Sequence, residues 1–277
     1  MLLRTEQRRK VCILKPPVQQ FICVGAARSG TTSLWHWLTQ HPDVTVSPVK
    51  ETNFFAHDLI GRSGAGDKDS LPDIQISDLP LRNKQHAAIV RDTEVYLNLI
   101  MNNNTLQHGE ISPAYLYYAN RVAFRIRRFN RECKIIIFLR EPVSRAISNY
   151  TMLTDMGREK CSIRQALNHE SDRIQAGWEH IWAYRGLGSY YEQVSIFLEE
   201  FGVSRVWIGL YEDLAGDPQK TFDAICDFLE IRRNKIGPRE KTNQSVIQPG
   251  ILLSCSRKRT GRIVSRFMPR RVRKTLK

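Results

Sequence analysis

The chain has 277 residues, 42% of them hydrophobic, with 42 Lys and Arg against 28 Asp and Glu for a net charge of +14. That length suits one large α/β domain with a substantial core, and no apolar run approaches the roughly 18 residues of a membrane-spanning helix. Met1–Lys10 is too polar and charged for a secretory signal, and the six scattered cysteines (Cys12, Cys23, Cys133, Cys161, Cys226, Cys255) include no C-x-x-C pair, which leaves zinc and thioredoxin-like chemistry without support.

Residues 1–19 read as a lead-in ending in Lys15-Pro16-Pro17, 20–250 as the folded domain and 251–277 as a basic tail. Phe21–Gly25 reads as a strand and 31–40 as a helix, ended at His41-Pro42 because Pro disfavours helical geometry in the residue before it. A short strand is predicted over Val44–Val46. The Gly-, Ser-, Asp- and Pro-rich stretch from Gly61 to Pro80 reads as a long surface loop, a class that often carries function. A helix is predicted over 89–101, a short strand running into a turn over Gly109–Tyr115, and a basic amphipathic helix over Arg121–Arg131. Lys134–Leu139 is almost continuously apolar, as in a parallel strand covered on both faces. Glu141-Pro142 opens a helix, Pro being tolerated in the first turn. Helices over Ser162–Gln175 and Tyr190–Phe201, a strand over Val203–Tyr211 and a helix over Pro218–Leu229 capped by Asp217 complete the series. Strands alternating with helices imply an α/β fold, a parallel sheet with helices on its faces.

The most informative stretch is Phe21-Ile-Cys-Val-Gly25-Ala-Ala-Arg28-Ser-Gly30-Thr31-Thr32-Ser33-Leu34. A strand meets a Gly-rich turn that runs straight into a helix, which aims backbone N–H groups and a positive helix end at one point. The spacing matches a Walker A loop, G-x-x-x-x-G-K-[ST], except that Thr31 stands in place of the Lys and the cation moves to Arg28. The expected fold is therefore P-loop NTPase-like. Gly25 and Gly30 permit the turn and close backbone approach, Arg28 can fork onto anionic oxygens, and Thr31, Thr32 and Ser33 offer hydroxyls. The plainer alternative is a strand-to-helix turn whose Thr residues cap the helix; the flanking elements and the spacing favour anion binding.

Two further motifs carry chemistry. In Arg140-Glu-Pro-Val-Ser-Arg-Ala-Ile-Ser148, Arg140 ends a buried strand and is expected to emerge beside the first loop, with Ser148 two helical turns on. Together they could hold a second phosphate; the alternative is a local ion pair with Glu141. In Lys50-Glu51-Thr-Asn-Phe54-Phe55, a carboxylate backed by two aromatics has the setting of a general base in a partly dry cleft. A surface Glu preceding core Phe residues is the plainer reading of that pair. His57 could line the cleft, and Trp178, Trp182, Tyr184, Tyr190 and Tyr191 could stack on a sugar or adenine, with packing the default for most of them.

Taken together, the three motifs resemble the sulfotransferases that use 3′-phosphoadenosine-5′-phosphosulfate, in their bacterial and Golgi-type carbohydrate branch, which includes heparan sulfate sulfotransferases. The resemblance runs from about Phe21 to about Asn243 and implies a P-loop NTPase-like single domain. It implies that Arg28, Ser29, Gly30, Thr31, Thr32 and Ser33 grip the 5′-phosphosulfate, that Arg140 and Ser148 hold the 3′-phosphate, and that Glu51 is the catalytic base with Arg28 stabilising the leaving phosphate. Gly109–Tyr115, Gly188-Ser-Tyr190 and Tyr211-Glu-Asp-Leu214 match further landmarks, which places Tyr190 at the donor site. A second nucleotide-clamping loop is echoed by Arg239-Glu-Lys241-Thr-Asn243-Gln-Ser245, bringing in Lys241 and Asn243. One departure is Ile111, where many heparan-type members carry a Lys after the Glu of the Gly-Glu segment, so one substrate contact is expected to be missing.

The resemblance implies sulfonate transfer to a hydroxyl or amine of an acceptor, a carbohydrate by preference, with no metal. A P-loop kinase or NTPase would need Lys at position 31 and an acidic strand end for Mg²⁺. A non-enzymatic anionic-polymer-binding module would rely on the tail, where ten Lys or Arg lie between Arg257 and Lys277 with no acid. A solvated or frayed end is the favoured reading of that tail, ahead of contact with an anionic surface. Cysteine usage fits a reducing cytoplasm.

Overall fold

A computed structural model describes residues 19–60, 73–75, 78, 85–101 and 105–237. In chain order its elements are β1 (Gln20–Gly25), α1 (Thr31–Thr39), β2 (Val44–Val46), β3 (Val49–Glu51), β4 (Asp73–Ile74), β5 (Gln85–Ala87), β6 (Ile89–Val90), α2 (Thr93–Ile100), β7 (Gln107–Ile111), α3 (Ala114–Tyr117), α4 (Ala119–Phe129), β8 (Lys134–Leu139), α5 (Pro142–Asp155), α6 (Ile163–Gln175), α7 (Tyr190–Phe201), β9 (Val206–Leu210), α8 (Tyr211–Gly216) and α9 (Pro218–Leu229). Five strands form one parallel sheet in the order β2-β7-β1-β8-β9. β3 pairs with β5 and β4 with β6 in two small parallel ladders.

The period-two alternation of the strands builds two cores. Ile22 and Val24 of β1 join Ile135, Ile137 and Leu139 of β8 under α3, α4 and α7, where Val122, Ile126 and Phe197 are fully buried. Phe21 and Cys23 join Ile136 and Phe138 on the other face, against Leu34 and Leu38 of α1 and Phe222 and Ile225 of α9. Burial pushes the Cys23 thiol up to about 12, so it behaves as an apolar residue. A third, smaller cluster joins Leu153 of α5 and Ala166 of α6 to Trp182 and Tyr184.

Local signals explain the helix starts. The Glu141 carboxylate accepts from the Val143 and Ser144 amides to open α5 ahead of Pro142. Ser162 and Gln165 form a reciprocal capping box on α6, and Asp217 accepts from the Lys220 amide on α9. The helix expected over 89–101 divides: Ile89–Val90 is strand β6, and α2 begins only after Asp92, whose carboxylate accepts from the amides of Glu94 and Val95. The segment expected as a turn before Tyr115 continues as α3, and the strand expected from Val203 starts at Val206 after a 3-10 turn. Among the described residues no helix is long and apolar enough to cross a membrane. The basic tail, Lys241, Asn243 and most of the 61–80 loop lie outside the described residues.

Candidate active site

The carboxyl ends of the sheet strands, where parallel sheets bind ligands, deliver the motif residues. β1 ends at Gly25 and feeds the turn to α1, whose N-cap is Gly30 with φ +89°. A Cβ there would lie 2.3 Å from Leu214 Cδ2, so only Gly lets α8 close over the turn. Within the turn Arg28 holds φ +69°, a left-handed conformation costing a side-chain-bearing residue roughly 1–3 kcal/mol. Its Nε donates to Ser148 Oγ at 3.2 Å and its Nη1 to Met152 Sδ at 3.2 Å, both on α5. Arg140, at the end of β8, donates from Nη1 to the Arg28 carbonyl at 3.0 Å and lies 4.4 Å from the Tyr211 ring centre. The two anion-holding motifs of the sequence therefore touch. Glu141 caps α5 and is not the ion-pair partner of Arg140.

A third guanidinium, Arg145, is fully buried one turn into α5. It donates from Nη2 to the Tyr184 carbonyl, while its Nε and Nη1 find no partner among the described residues. Burial lowers the Arg145 pKa from its ordinary value, and the charges of Arg140 and Arg28 add to that. Burial, then Arg140, does the same to Arg28. Among the described residues no carboxylate forms an ion pair with Arg28, Arg140 or Arg145. The buried hydroxyls of Ser29 and Tyr190 also lack a hydrogen bond of good geometry. Gathering three cations and leaving buried donors unsatisfied is costly in a folded protein, and an anion supplies the compensation. Sequence reading gave Arg145 no role.

Glu51 ends β3, and its side chain retains 23% of its exposure. The buried Lys50 ammonium donates to Oε1 at 2.5 Å, fixing the carboxylate and setting a positive charge beside it. Beneath lies a cage that sequence reading recorded only as a landmark. Glu110 of β7 is completely buried and accepts from Ser112 Oγ at 2.9 Å, Tyr96 Oη at 3.0 Å, Tyr115 Oη at 3.1 Å and the Thr52 hydroxyl. Tyr115 Oη in turn accepts from the Phe55 amide at 3.1 Å. Thr52 and Phe55 follow Glu51 in the chain, so this cage pins the turn after Glu51 to the central sheet. Burial raises the Glu110 carboxyl, with the four hydroxyl donors opposing.

The structure thus brings together Arg28, Ser29, Gly30, Thr31, Thr32, Ser33, Arg140, Ser148 and Tyr190, with the Glu51 charge felt at Arg28. Ile111 is wholly buried in the core between β1 and α1, so its position serves packing. His57 turns back onto its own loop, Nδ1 lying 2.7 Å from the Phe54 carbonyl oxygen. Trp182 and Tyr184 are core residues, and Tyr191 is exposed.

Comparison with known proteins agrees with this geometry. The model of the sulfotransferase family matches residues 20–235. The mouse heparan sulfate glucosamine 3-O-sulfotransferase 3A1 is 24% identical over 216 residues, 77% of this chain and 46% of that protein. The human 3B1 enzyme is likewise 24% identical, over 217 residues. The chain spans about half the length of these curated relatives. A crystal structure of a sulfotransferase from Alicyclobacillus acidocaldarius superposes with a TM-score of 0.69 at 29% identity, covering 92% of each chain. A sulfotransferase domain from the curacin biosynthetic pathway shares the fold, with a TM-score of 0.51 at 21% identity. With a parallel P-loop NTPase-like sheet, a guanidinium-lined turn at its strand ends and a family match over most of its length, this chain belongs to the sulfotransferase family.

Proposed function

We propose that this chain transfers a sulfonate group from 3′-phosphoadenosine-5′-phosphosulfate to a hydroxyl of a carbohydrate acceptor. The observation that carries this reading is the cluster of Arg28, Arg140 and Arg145, with no ion-paired carboxylate among the described residues, beside the charge of Glu51. The unsatisfied Arg145 Nε and Nη1 and the Ser29 and Tyr190 hydroxyls are donors suited to phosphate oxygens. The carbohydrate acceptor is supported by the heparan sulfate enzymes among the relatives. The donor, when bound, supplies an activated sulfonate on a phosphate leaving group.

The residues divide the work between charge and proton. Arg28, at the turn, and the first amides of α1 would hold the 5′ end and offset charge on the leaving phosphate, each such preorganised donor contributing about 3 kcal/mol. Arg140, Arg145 and Ser148 would hold the 3′-phosphate. Glu51, oriented by Lys50 and the Glu110 cage, would take the proton from the acceptor oxygen, a contribution of roughly two to four powers of ten. Thr31 in place of the Walker Lys and Arg140 in place of an acidic strand end argue against magnesium-nucleotide hydrolysis.

Glu51→Gln tests the assignment. Turnover should fall by about 10²- to 10⁴-fold while adenosine 3′,5′-bisphosphate affinity stays within about threefold. Full turnover by this variant would remove Glu51 from the mechanism.

A further inference from the structure

A groove of about 270 Å³ opens where the turn after Glu51 meets α3 and the segment following α6. Asp58, Tyr117, Tyr118, Trp178, Glu179 and His180 line it. The groove adjoins the crevice through the chain itself: Asp58 continues the turn that begins at Phe54, and Tyr117 follows Leu116, whose side chain closes over Gly25 of the first loop. Glu51 is near enough that its charge is felt at His180.

The lining has a definite chemistry. Three aromatic rings supply apolar faces, with Tyr117 and Tyr118 edge-to-face at 5.0 Å and the His180 ring 5.4 Å from Tyr118. The polar groups are two carboxylates and one imidazole. Asp58 is held in a two-pronged pair by Arg125, at 2.5 and 2.8 Å, and that pairing holds its carboxyl down at about 2. Glu179 lies 3.8 Å from Arg158. His180 retains only 9% of its exposure, and burial pushes it down to about 4, so it is neutral at pH 7. Its Nδ1 has no partner among the described residues. Arg125 and Arg158 are thus paired with these carboxylates, Arg173 lies over one side of the Trp178 ring at 5.0 Å while paired with Glu159, and the described lining residues include no Lys or Arg. A polyanion placed here would set its own charges against Asp58 and Glu179, with no Lys or Arg among the described lining residues to offset them. Ring faces for stacking and a neutral imidazole in the wall suit a neutral sugar. The volume lies near the lower end of small-molecule sites, about 300 Å³, which fits one sugar ring better than an extended polymer.

We propose that this groove is the acceptor site and that it takes an uncharged hexopyranoside, stacked on Trp178 and packed against the neutral His180, in preference to a sulfated or uronate-bearing polysaccharide. The inference rests on the sulfonate-transfer reading above.

The test uses the full chain with the phosphosulfate donor and a matched pair of probes, 4-nitrophenyl β-D-glucopyranoside and 4-nitrophenyl β-D-glucuronide, with heparan sulfate as the polyanion. The glucoside should be sulfonated with kcat/KM at least about tenfold above the glucuronide, and Glu179→Gln should narrow that ratio. Trp178→Ala should raise KM for the glucoside about tenfold with kcat within about twofold, and Trp178→Phe should recover most of the loss. Calorimetry with adenosine 3′,5′-bisphosphate accompanies every variant, and unchanged affinity shows that the donor half is folded. A preference for glucuronide or heparan sulfate, no transfer to either glycoside, or an unchanged KM in Trp178→Ala overturns the groove assignment while bisphosphate binding leaves the broader reading standing. A wild-type chain that does not bind the bisphosphate overturns both.

Discussion

Replacing Arg140 by Ala isolates one anion contact, because among the described residues this side chain makes one hydrogen bond, to the Arg28 carbonyl, and one contact with the face of Tyr211. Of its five N–H donors, about four remain for a ligand. A forked contact to a phosphate is strong and charge-assisted, and losing it should cost about 2–3 kcal/mol of binding, or roughly 30- to 150-fold in Kd. The variant also surrenders about 1 kcal/mol for the hydrogen bond and about 0.5–1 kcal/mol for the cation–π contact. That predicts a fall in Tm of only about 3–8 °C for a domain of this size. The assay is calorimetry with adenosine 3′,5′-bisphosphate and with adenosine 5′-monophosphate, which lacks the 3′ group. Wild-type protein should prefer the bisphosphate, and Arg140→Ala should lose most of that preference while binding the monophosphate within about threefold of wild type. A variant that folds and keeps the full preference would show that Arg140 does not hold the 3′-phosphate.

Three other perturbations bear on the same structure. Gly30→Ala places a Cβ 2.3 Å from Leu214 Cδ2 at φ +89°, and should lower stability by about 1–3 kcal/mol and weaken bisphosphate binding, as read by thermal melts and calorimetry. Arg173→Leu strands the buried Glu159 carboxylate, which accepts from Arg173 at 2.6 and 3.1 Å and from Tyr184 at 2.8 Å; the cost should be about 3–5 kcal/mol. The pH dependence carries a sign: burial opposes ionisation of Glu159, but Arg173 overcomes it and holds the carboxyl at about 2. The native state therefore binds that proton less tightly than the unfolded chain does, so the stabilisation is complete above the ordinary carboxyl range and is lost as pH falls toward 2. In Arg173→Leu the carboxylate is buried without its cation, and Tm should rise as pH drops from 7 toward 5; a fall over that interval would contradict the assignment.

The central sheet was legible because its signals are local. Lys134–Leu139 is apolar at nearly every position, as two-sided burial requires, and Glu141-Pro142, Ser162 and Asp217 mark helix starts by capping chemistry that acts within three residues. Arg140 directly follows that buried strand, and its side chain lies beside the first loop, donating to the Arg28 carbonyl. What escaped the sequence is long-range. Ile89–Val90 was absorbed into a helix because two apolar residues carry no period, although Asp92 held the start signal. Arg145 carries no local signal of burial in the sequence, and its burial beside Arg28 and Arg140 depends on how α5 packs. The Glu110 cage draws hydroxyls from positions 52, 96, 112 and 115, whose convergence no spacing rule encodes. The groove likewise joins a turn near Asp58 to the Trp178–His180 segment, which meet only in the folded chain.

The most direct measurement of the central claim, that a cluster of three guanidiniums recognises a bisphosphorylated adenosine, is a calorimetric comparison of adenosine 3′,5′-bisphosphate in the presence of a metal chelator with ATP in the presence of Mg²⁺. Tight binding of the bisphosphate with chelator present, and ATP binding at least about tenfold weaker, is the expected result. A chain that takes up magnesium-ATP and ignores the bisphosphate would contradict it.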